Sequence, residues 1–318
     1  MRLGVVGTGW ISDSFLESVI KSKLYTISSV CSPRIESASA FANKYGIENV
    51  YTKCEDMVKN SDIDVVYIAS PNNFHFEQAK MFLKASIHAI VEKPITLSLD
   101  ELNKIELIAK ENNVFFIEAM RPIHHPHLKL IKDKIEEIKP IRYAYFQFMR
   151  YSSKYDKYKR GEQARVFLPE FGGGALNDLG VYPLTIALYL FGKPNDVEVM
   201  ASLLESGVDG TTVVMLKYTN FVCVCAFSKI STSYIENEIQ GENEAIIINH
   251  ITHLDKIIKI SNNEKIIIKD EHIKEDMIYE ILSFTNMIKN NDNAKFQELL
   301  SYSKNVIELS EALREKMN

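Results

Sequence analysis

RLGVVGTGWIS, residues 2–12, passes from an apolar strand through two glycines into a helical start. In such a strand–turn–helix the first glycine, Gly7, permits a tight turn. The second, Gly9, lets main chain come close to a pyrophosphate, which the partly positive N–H groups of the helix start then face. Thr8 lies between the glycines, and Trp10 and Ile11 follow them at the mouth of the turn. Ser12 stands where a third glycine is usual and is small enough for close helix packing. G-x-G alone is common; a strand before it and a helix after it make a dinucleotide-binding turn the better reading.

Working outward, 1–121 keeps alternating strand with helix. YTISSVC, DVVYIA, HAIVEKP and VFFIEA read as strands. Between them lie ESASAFANKYG, closed by Gly46, FHFEQAKMFLKA, and SLDELNKIELIAKENN, where Ser98 and Glu101 form a capping box. This alternation predicts an α/β fold whose N-terminal domain is a Rossmann-type, doubly wound parallel sheet. From 122 to 318 the texture changes. RYAYFQFMRY alternates like a half-buried strand, a run of short strands follows from 196 to 270, and two helices end the chain. An α+β domain with a mostly antiparallel open sheet is expected there.

The chain has 318 residues, 46% of them hydrophobic and 25% charged, enough to bury a large core without disulfides or metal. A net charge of −5 argues against a broad nucleic-acid surface. No apolar run approaches the ~20 residues that span a bilayer, so no membrane partner is expected. Four scattered cysteines and no cationic-then-apolar leader predict a reducing cytoplasm. His124, His125 and His127 invite a metal, but adjacent histidines seldom converge on one ion, and none is expected.

The carboxyl ends of the parallel strands supply the remaining cofactor candidates. After the second strand, Ser32 can donate to a phosphate and Arg34 can pair with one bidentately, which favours NADP over NAD; a solvated Arg34 is the alternative. Ser70, Pro71, Asn72 and His75 follow another strand, with Asn72 and His75 in reach of a ribose or nicotinamide amide. Glu92 and Lys93 end a buried strand, where a lysine is costly unless it is used.

A second glycine cluster, GGGALNDLGVYP (172–183), surrounds Asp178 and Tyr182. Taken together, GxG, PNxxH, EKP and GGGALxDxGxY resemble the Gfo/Idh/MocA oxidoreductase family over nearly the whole chain, nearest its dihydrodiol and sugar dehydrogenase branch. The resemblance implies a Rossmann domain followed by a domain whose open sheet often forms a dimer face, hence a homodimer or higher homo-oligomer. It implies reversible hydride transfer at a secondary carbinol of a sugar, polyol or cyclic diol, the nicotinamide lying between Lys93 and the segment of Asp178 and Tyr182. A tyrosine of pKa about 10 is a poor base at neutrality, and a Lys93 ammonium nearby would favour its phenolate. Asp178 could orient the substrate or Lys93. Gly172–Gly174 would bring main chain near the ligand, and Gly180 would avoid a Cβ against the cofactor domain.

Three departures concern specificity rather than chemistry. The family's arginine after the second strand aligns with Pro33, Ile123 replaces a frequent arginine, and SIHA replaces GKHV before EKP. His125, Tyr143, Tyr145 and Arg150 are further pocket candidates, although sheet packing explains the last three equally well. A catalytically silent cofactor sensor of the same fold is the competing reading; it has no need of Lys93, Asp178 and Tyr182 together.

Overall fold

The computed structural model describes residues 1–262 and 264–317, in two compact units. The first comprises Met1–Ala119 and Glu275–Lys304; the second, Met120–Lys274 and the chain from Asn305 onward.

In the first unit six parallel strands alternate with helices. These are β1 (Arg2–Val6), β2 (Thr26–Cys31), β3 (Asn49–Tyr51), β4 (Val65–Ile68), β5 (His88–Glu92) and β6 (Phe116–Ala119). Their spatial order is β3-β2-β1-β4-β5-β6, all parallel, so the winding reverses between β1 and β4. That order is the one described for dinucleotide-binding sheets, with the ligand crevice at the carboxyl ends of the strands beside the reversal. The helices are α1 (Trp10–Ser22), α2 (Ile35–Tyr45), α3 (Cys54–Asn60), α4 (His75–Lys84) and α5 (Leu99–Glu111). Helices cover both faces, which is why Val65–Ile68 are all buried and read as an uninterrupted apolar run. Two expected punctuation marks are in place. Gly46 ends α2 at φ 67°, and Ser98 Oγ accepts the Glu101 N–H at 3.2 Å to start α5.

The linear division of the chain at 121/122 needs one correction. Residues 275–304 belong to the first unit, because the helix Ile278–Asn290 buries Ile281, Phe284 and Met287, and its Thr285 hydroxyl hydrogen-bonds Tyr25 at 2.8 Å. Phe296 packs edge-on to Phe115 and Phe116, and Ser303 donates to Glu118 Oε2 at 2.7 Å.

The second unit is built on eight strands: β7 (Tyr143–Met149), β8 (Asp196–Leu203), β9 (Asp209–Lys217), β10 (Val222–Ser228), β11 (Asn237–Gln240), β12 (Glu244–Ile248), β13 (Lys256–Ser261) and β14 (Glu264–Asp270). Their order is β14-β13-β12-β11-β7-β10-β9-β8, and only β7 and β10 run parallel. Helices α6 (Arg121–His124), α7 (Pro126–Ile135), α8 (Tyr155–Lys159) and α9 (Val181–Phe191) join it, and the later part of the helix Asn293–Met317 adds Val306, Leu309 and Leu313 to its core. Alternation along the central strands sorts the two faces. Ala144, Phe146, Val214, Leu216, Cys223 and Cys225 enter one core with Leu184, Ile186 and Ala187 of α9. The residues between them face outward, where Met200, Val213, Met215 and Val222 are exposed. Tyr143 and Tyr145 alternate with the core residues Ala144 and Phe146, so they lie on this outer face, which removes both as pocket candidates.

Candidate functional site

At the end of β1, Gly7 has φ 102°, and a Cβ there would sit 2.5 Å from the Ala69 carbonyl oxygen; only glycine fits. Its N–H donates to Cys31 O at 2.9 Å, tying the turn to the end of β2. Gly9 is the N-cap of α1 in extended geometry; no side chain caps the helix there, and a Cβ on Gly9 would meet no atom within 4 Å. The first-turn N–H groups of a thirteen-residue helix therefore face an open approach, a cradle that suits a pyrophosphate. Ser12, in place of the third glycine, is fully buried on the inner side of α1. Trp10 is exposed and Thr8 and Ile11 partly so, all at the same turn.

Ser32 is buried beside β3, with its N–H on Tyr51 O at 3.1 Å. Arg34, exposed, is the N-cap residue of α2, and among the described residues no carboxylate lies within ion-pair distance of its guanidinium. The residues after β4 divide. Ser70 donates its hydroxyl to Gln78 Oε1 at 2.6 Å, and Pro71 and Asn72 form a half-exposed turn. His75, expected to reach a ribose or nicotinamide, does not point outward. It is fully buried, with Nδ1 2.8 Å from Pro94 O and Nε2 2.9 Å from Ser70 O. Burial, aided by the Lys93 charge, lowers its pKa against the pull of the two carbonyls. His75 is thus packed between the Ser70 and Pro94 turns, and whichever ring nitrogen carries the proton donates to the carbonyl it faces.

Glu92 and Lys93 sit at the end of β5. Glu92 is buried and accepts the Tyr67 hydroxyl at 2.7 Å, and the Tyr67 ring stacks on Phe15 of α1 at 3.7 Å. Glu118, on the neighbouring strand, accepts Ile95 N–H at 3.0 Å and the Ser303 hydroxyl. Its burial raises its pKa despite these donors, and Lys93 pulls the other way. Lys93 itself is half-buried, an ammonium at the carboxyl edge of the sheet among carboxylates that share its field.

In the second unit the glycine cluster leads into a helix whose first turn, Leu176–Gly180, is of the wide π form before α9 begins. Pro183 has no N–H to give to that turn, and the wider winding carries the chain past it without a break. The buried carboxylate of Asp209 starts this helix: Oδ2 accepts Leu176 N–H at 2.9 Å and the Thr212 hydroxyl at 2.8 Å. Burial raises the Asp209 pKa, and those donors oppose the rise. Gly174 has φ 110°, and a Cβ there would collide with Asp209 Oδ1. Gly180 would place a Cβ 2.7 Å from the Phe227 ring. Both glycines therefore make room for side chains of their own unit, which corrects the expectation that they clear space for ligand and for the cofactor domain.

Asp178 and Tyr182 both emerge from this helix half-exposed. Within its unit Asp178 pairs with Lys229, a lysine directly after β10 whose side chain is 4% exposed and lies over the Phe167 ring. Tyr182 meets Phe148 edge-to-face at 5.4 Å, and Phe148 meets His250 in the same way at 5.6 Å. The helix start thus carries a phenol and, four residues earlier, an acid paired with an ammonium, groups able to exchange a proton with a hydroxyl and to fix its direction. Two histidines of the run have structural work. His125 is buried and its Nδ1 accepts His127 N–H at 3.2 Å to cap α7, while His127 Nδ1–H donates to Leu254 O at 2.8 Å. Among the described residues no group of three or more His, Cys, Asp or Glu is arranged to hold a metal ion.

Lys229, Asp209, Phe148 and His250 were not singled out from sequence. Lys229 carried a usable signal, a lysine ending a buried strand, as Lys93 does. The other three are fixed by tertiary packing.

Residues 1–119 match the profile of an oxidoreductase family with an NAD-binding Rossmann fold (GFO_IDH_MocA), and 134–247 match the GFO/IDH/MocA C-terminal domain. An uncharacterized oxidoreductase, YgjR, of Escherichia coli is 35% identical over 91% of this chain and 88% of its own length. The scyllo-inositol 2-dehydrogenase (NADP(+)) IolU of Bacillus subtilis is 35% identical over 100% of this chain and 97% of its own. The crystal structure of KijD10, a 3-ketoreductase from Actinomadura kijaniata in complex with NADP and TDP-benzene, superposes with a TM-score of 0.87 at 21% identity, covering 100% of this chain and 98% of that one.

Proposed function

The chain belongs to the Gfo/Idh/MocA oxidoreductase family, and from that premise we propose that it oxidises a secondary alcohol of a sugar, polyol or cyclic diol, or reduces the matching ketone, using NADP in preference to NAD. The observation that carries this reading is that one helix start holds two half-exposed groups four residues apart, the Tyr182 phenol and an Asp178 carboxylate paired with Lys229. Gly7, Thr8, Gly9, Trp10 and Ile11 hold the pyrophosphate end of the cofactor; Ser32 and Arg34 hold a 2′-phosphate, and the turn of Ser70, Pro71 and Asn72 takes the ribose side. Bound there, the nicotinamide supplies the hydride acceptor or donor.

Tyr182 takes the hydroxyl proton in oxidation and returns it in reduction. In the first unit Glu92 and Tyr67 fix the strand end from which the Lys93 ammonium extends toward the cofactor crevice. Asp178 accepts from a substrate hydroxyl, and its pair with Lys229 holds that carboxylate in one direction. The Bacillus relative, named for scyllo-inositol and NADP(+), supports both the polyol and the cofactor preference. Replacing Tyr182 by Phe should lower kcat by about 10²–10⁴-fold while NADP affinity stays within twofold or so. A variant that turns over at the parental rate rejects Tyr182 as the acid–base group.

We assign the exposed outer face of β8, β9 and β10 to self-association, since Met200, Val213, Met215 and Val222 together form an apolar surface that a second copy could cover. Solution mass by light scattering should exceed that of one chain; a monomer at micromolar concentration sinks the assignment. No helix among the described residues is long and apolar enough to cross a membrane. The free cysteines suit a reducing, cytoplasmic setting.

A further inference from the structure

We infer that the substrate carries an anionic group, a carboxylate or a phosphate monoester, and that Arg150 binds it. The inference rests on the assignment of Tyr182 as the proton-handling residue, because it is the surroundings of that ring that point to an anion.

Strand direction places Arg150 on the correct side. Along β7, Ala144 and Phe146 enter the core and Phe148 packs against it, so the next residue of that parity, Arg150, leaves the sheet on the same side as α9. Its N–H donates to Ser228 O at 2.9 Å, which keeps it in register beside Lys229 at the end of the parallel partner strand. Phe148, two residues earlier, touches both Tyr182 and His250. Arg150 therefore extends from the same strand end as Phe148, the ring that meets Tyr182 edge-to-face.

The charge there is not balanced locally. Asp178 already has Lys229. Arg150 is exposed, and among the described residues no carboxylate comes within ion-pair distance of its guanidinium. His250 feels the imbalance. Burial first, then His253, Arg150 and Arg121, push its pKa down to about 4, against Asp255. Asp255 is itself held by His272 at 2.9 Å. At neutral pH His250 is thus uncharged and offers only a hydrogen bond, while the positive field comes from guanidinium. A neutral polyol has no use for that field. A planar fork two residues from the ring that packs on the proton-handling Tyr182 fits a carboxylate or phosphate bidentately. The ordinary alternative, a solvated arginine, predicts no effect on substrate choice.

The test uses the full chain loaded with NADP, and three probes: D-glucose, D-glucuronate and D-glucose 6-phosphate. Calorimetric binding and turnover are both measured for the parent, Arg150→Ala and Arg150→Lys. The inference expects one anionic probe to bind at least tenfold more tightly than D-glucose. Arg150→Ala should remove that advantage without changing NADP or D-glucose affinity, and Arg150→Lys should keep part of it. Which probe gains separates carboxylate from phosphate. Equal binding of all three probes, equal weakening of all three in Arg150→Ala, or binding of none overturns it. Turnover reports on the oxidoreductase reading separately. Oxidation of D-glucose without anion preference retains that reading and rejects this inference, whereas Arg150-dependent anion binding with no turnover does the reverse.

Discussion

A Cβ added at Gly9 would meet no atom within 4 Å, whereas one added at Gly180 would lie 2.7 Å from the Phe227 ring. The two glycine-rich turns, one in each unit, look alike in sequence and are used in opposite ways. In the first, Gly7 lets the chain turn against Ala69, and the turn leaves the start of α1 open. In the second, the space the glycines give up is filled from within, by the Asp209 carboxylate at Gly174 and by Phe227 at Gly180. The difference teaches that a glycine cluster beside a candidate catalytic residue need not mean that ligand approaches main chain. Here it lets a buried acid and a ring press against the helix start and so fix the direction of Asp178 and Tyr182.

The sharpest way to break this comparison is to add a methyl group on each side. Gly180→Ala should overpack Phe227 and cost about 1–3 kcal/mol of stability, with a drop in Tm that Phe227→Leu partly restores in the double variant. A Gly180→Ala protein as stable as the parent would show that Phe227 yields freely, and the packing account would fail. Gly9→Ala should do the reverse. Its φ of −84° is ordinary for alanine, so stability should stay within about 1 kcal/mol, while NADP and NAD both bind about tenfold more weakly because the methyl group occupies the approach to α1. Lost stability with intact cofactor binding would invert the two roles.

The same contrast explains how much was legible in the sequence alone. The first sheet was legible because β1, β4 and β5 are covered on both faces and appear as unbroken apolar runs between clear turns and caps. The helices of 275–304 were misplaced because an amphipathic pattern says that a face is buried but not against which core. Lys93, Asp178 and Tyr182 were visible as costly or reactive groups at the ends of apolar segments. Their support was not. Asp209 and Phe227 reach the glycines only through the pairing of β9 and β10. His75 looked like a ligand contact because it follows a strand end. In the fold its ring is buried between carbonyls of two turns, a place that depends on where Pro94 comes to lie.

Arg34 gives the finest test of the open turn, because it concerns one end of the cofactor only. It begins α2 from an extended N-cap position (φ −104°, ψ 114°), its side chain is exposed, and Glu36 lies in the first turn of the same helix. A 2′-phosphate there would gain a charge-assisted pair with Arg34 and meet some repulsion from Glu36; a ribose hydroxyl would gain nothing from the guanidinium. Arg34→Ala should therefore raise KM for NADP about tenfold and leave that for NAD within about twofold, with kcat unchanged for both. The expected effect falls on one cofactor rather than both, and it is limited because an exposed pair is screened by solvent and salt. Repeating the measurement at higher ionic strength should shrink the NADP advantage of the parent and leave Arg34→Ala almost unaffected. If the variant loses both cofactors equally, Arg34 supports the turn rather than reading the phosphate, and the NADP preference must come from another residue at the end of β2.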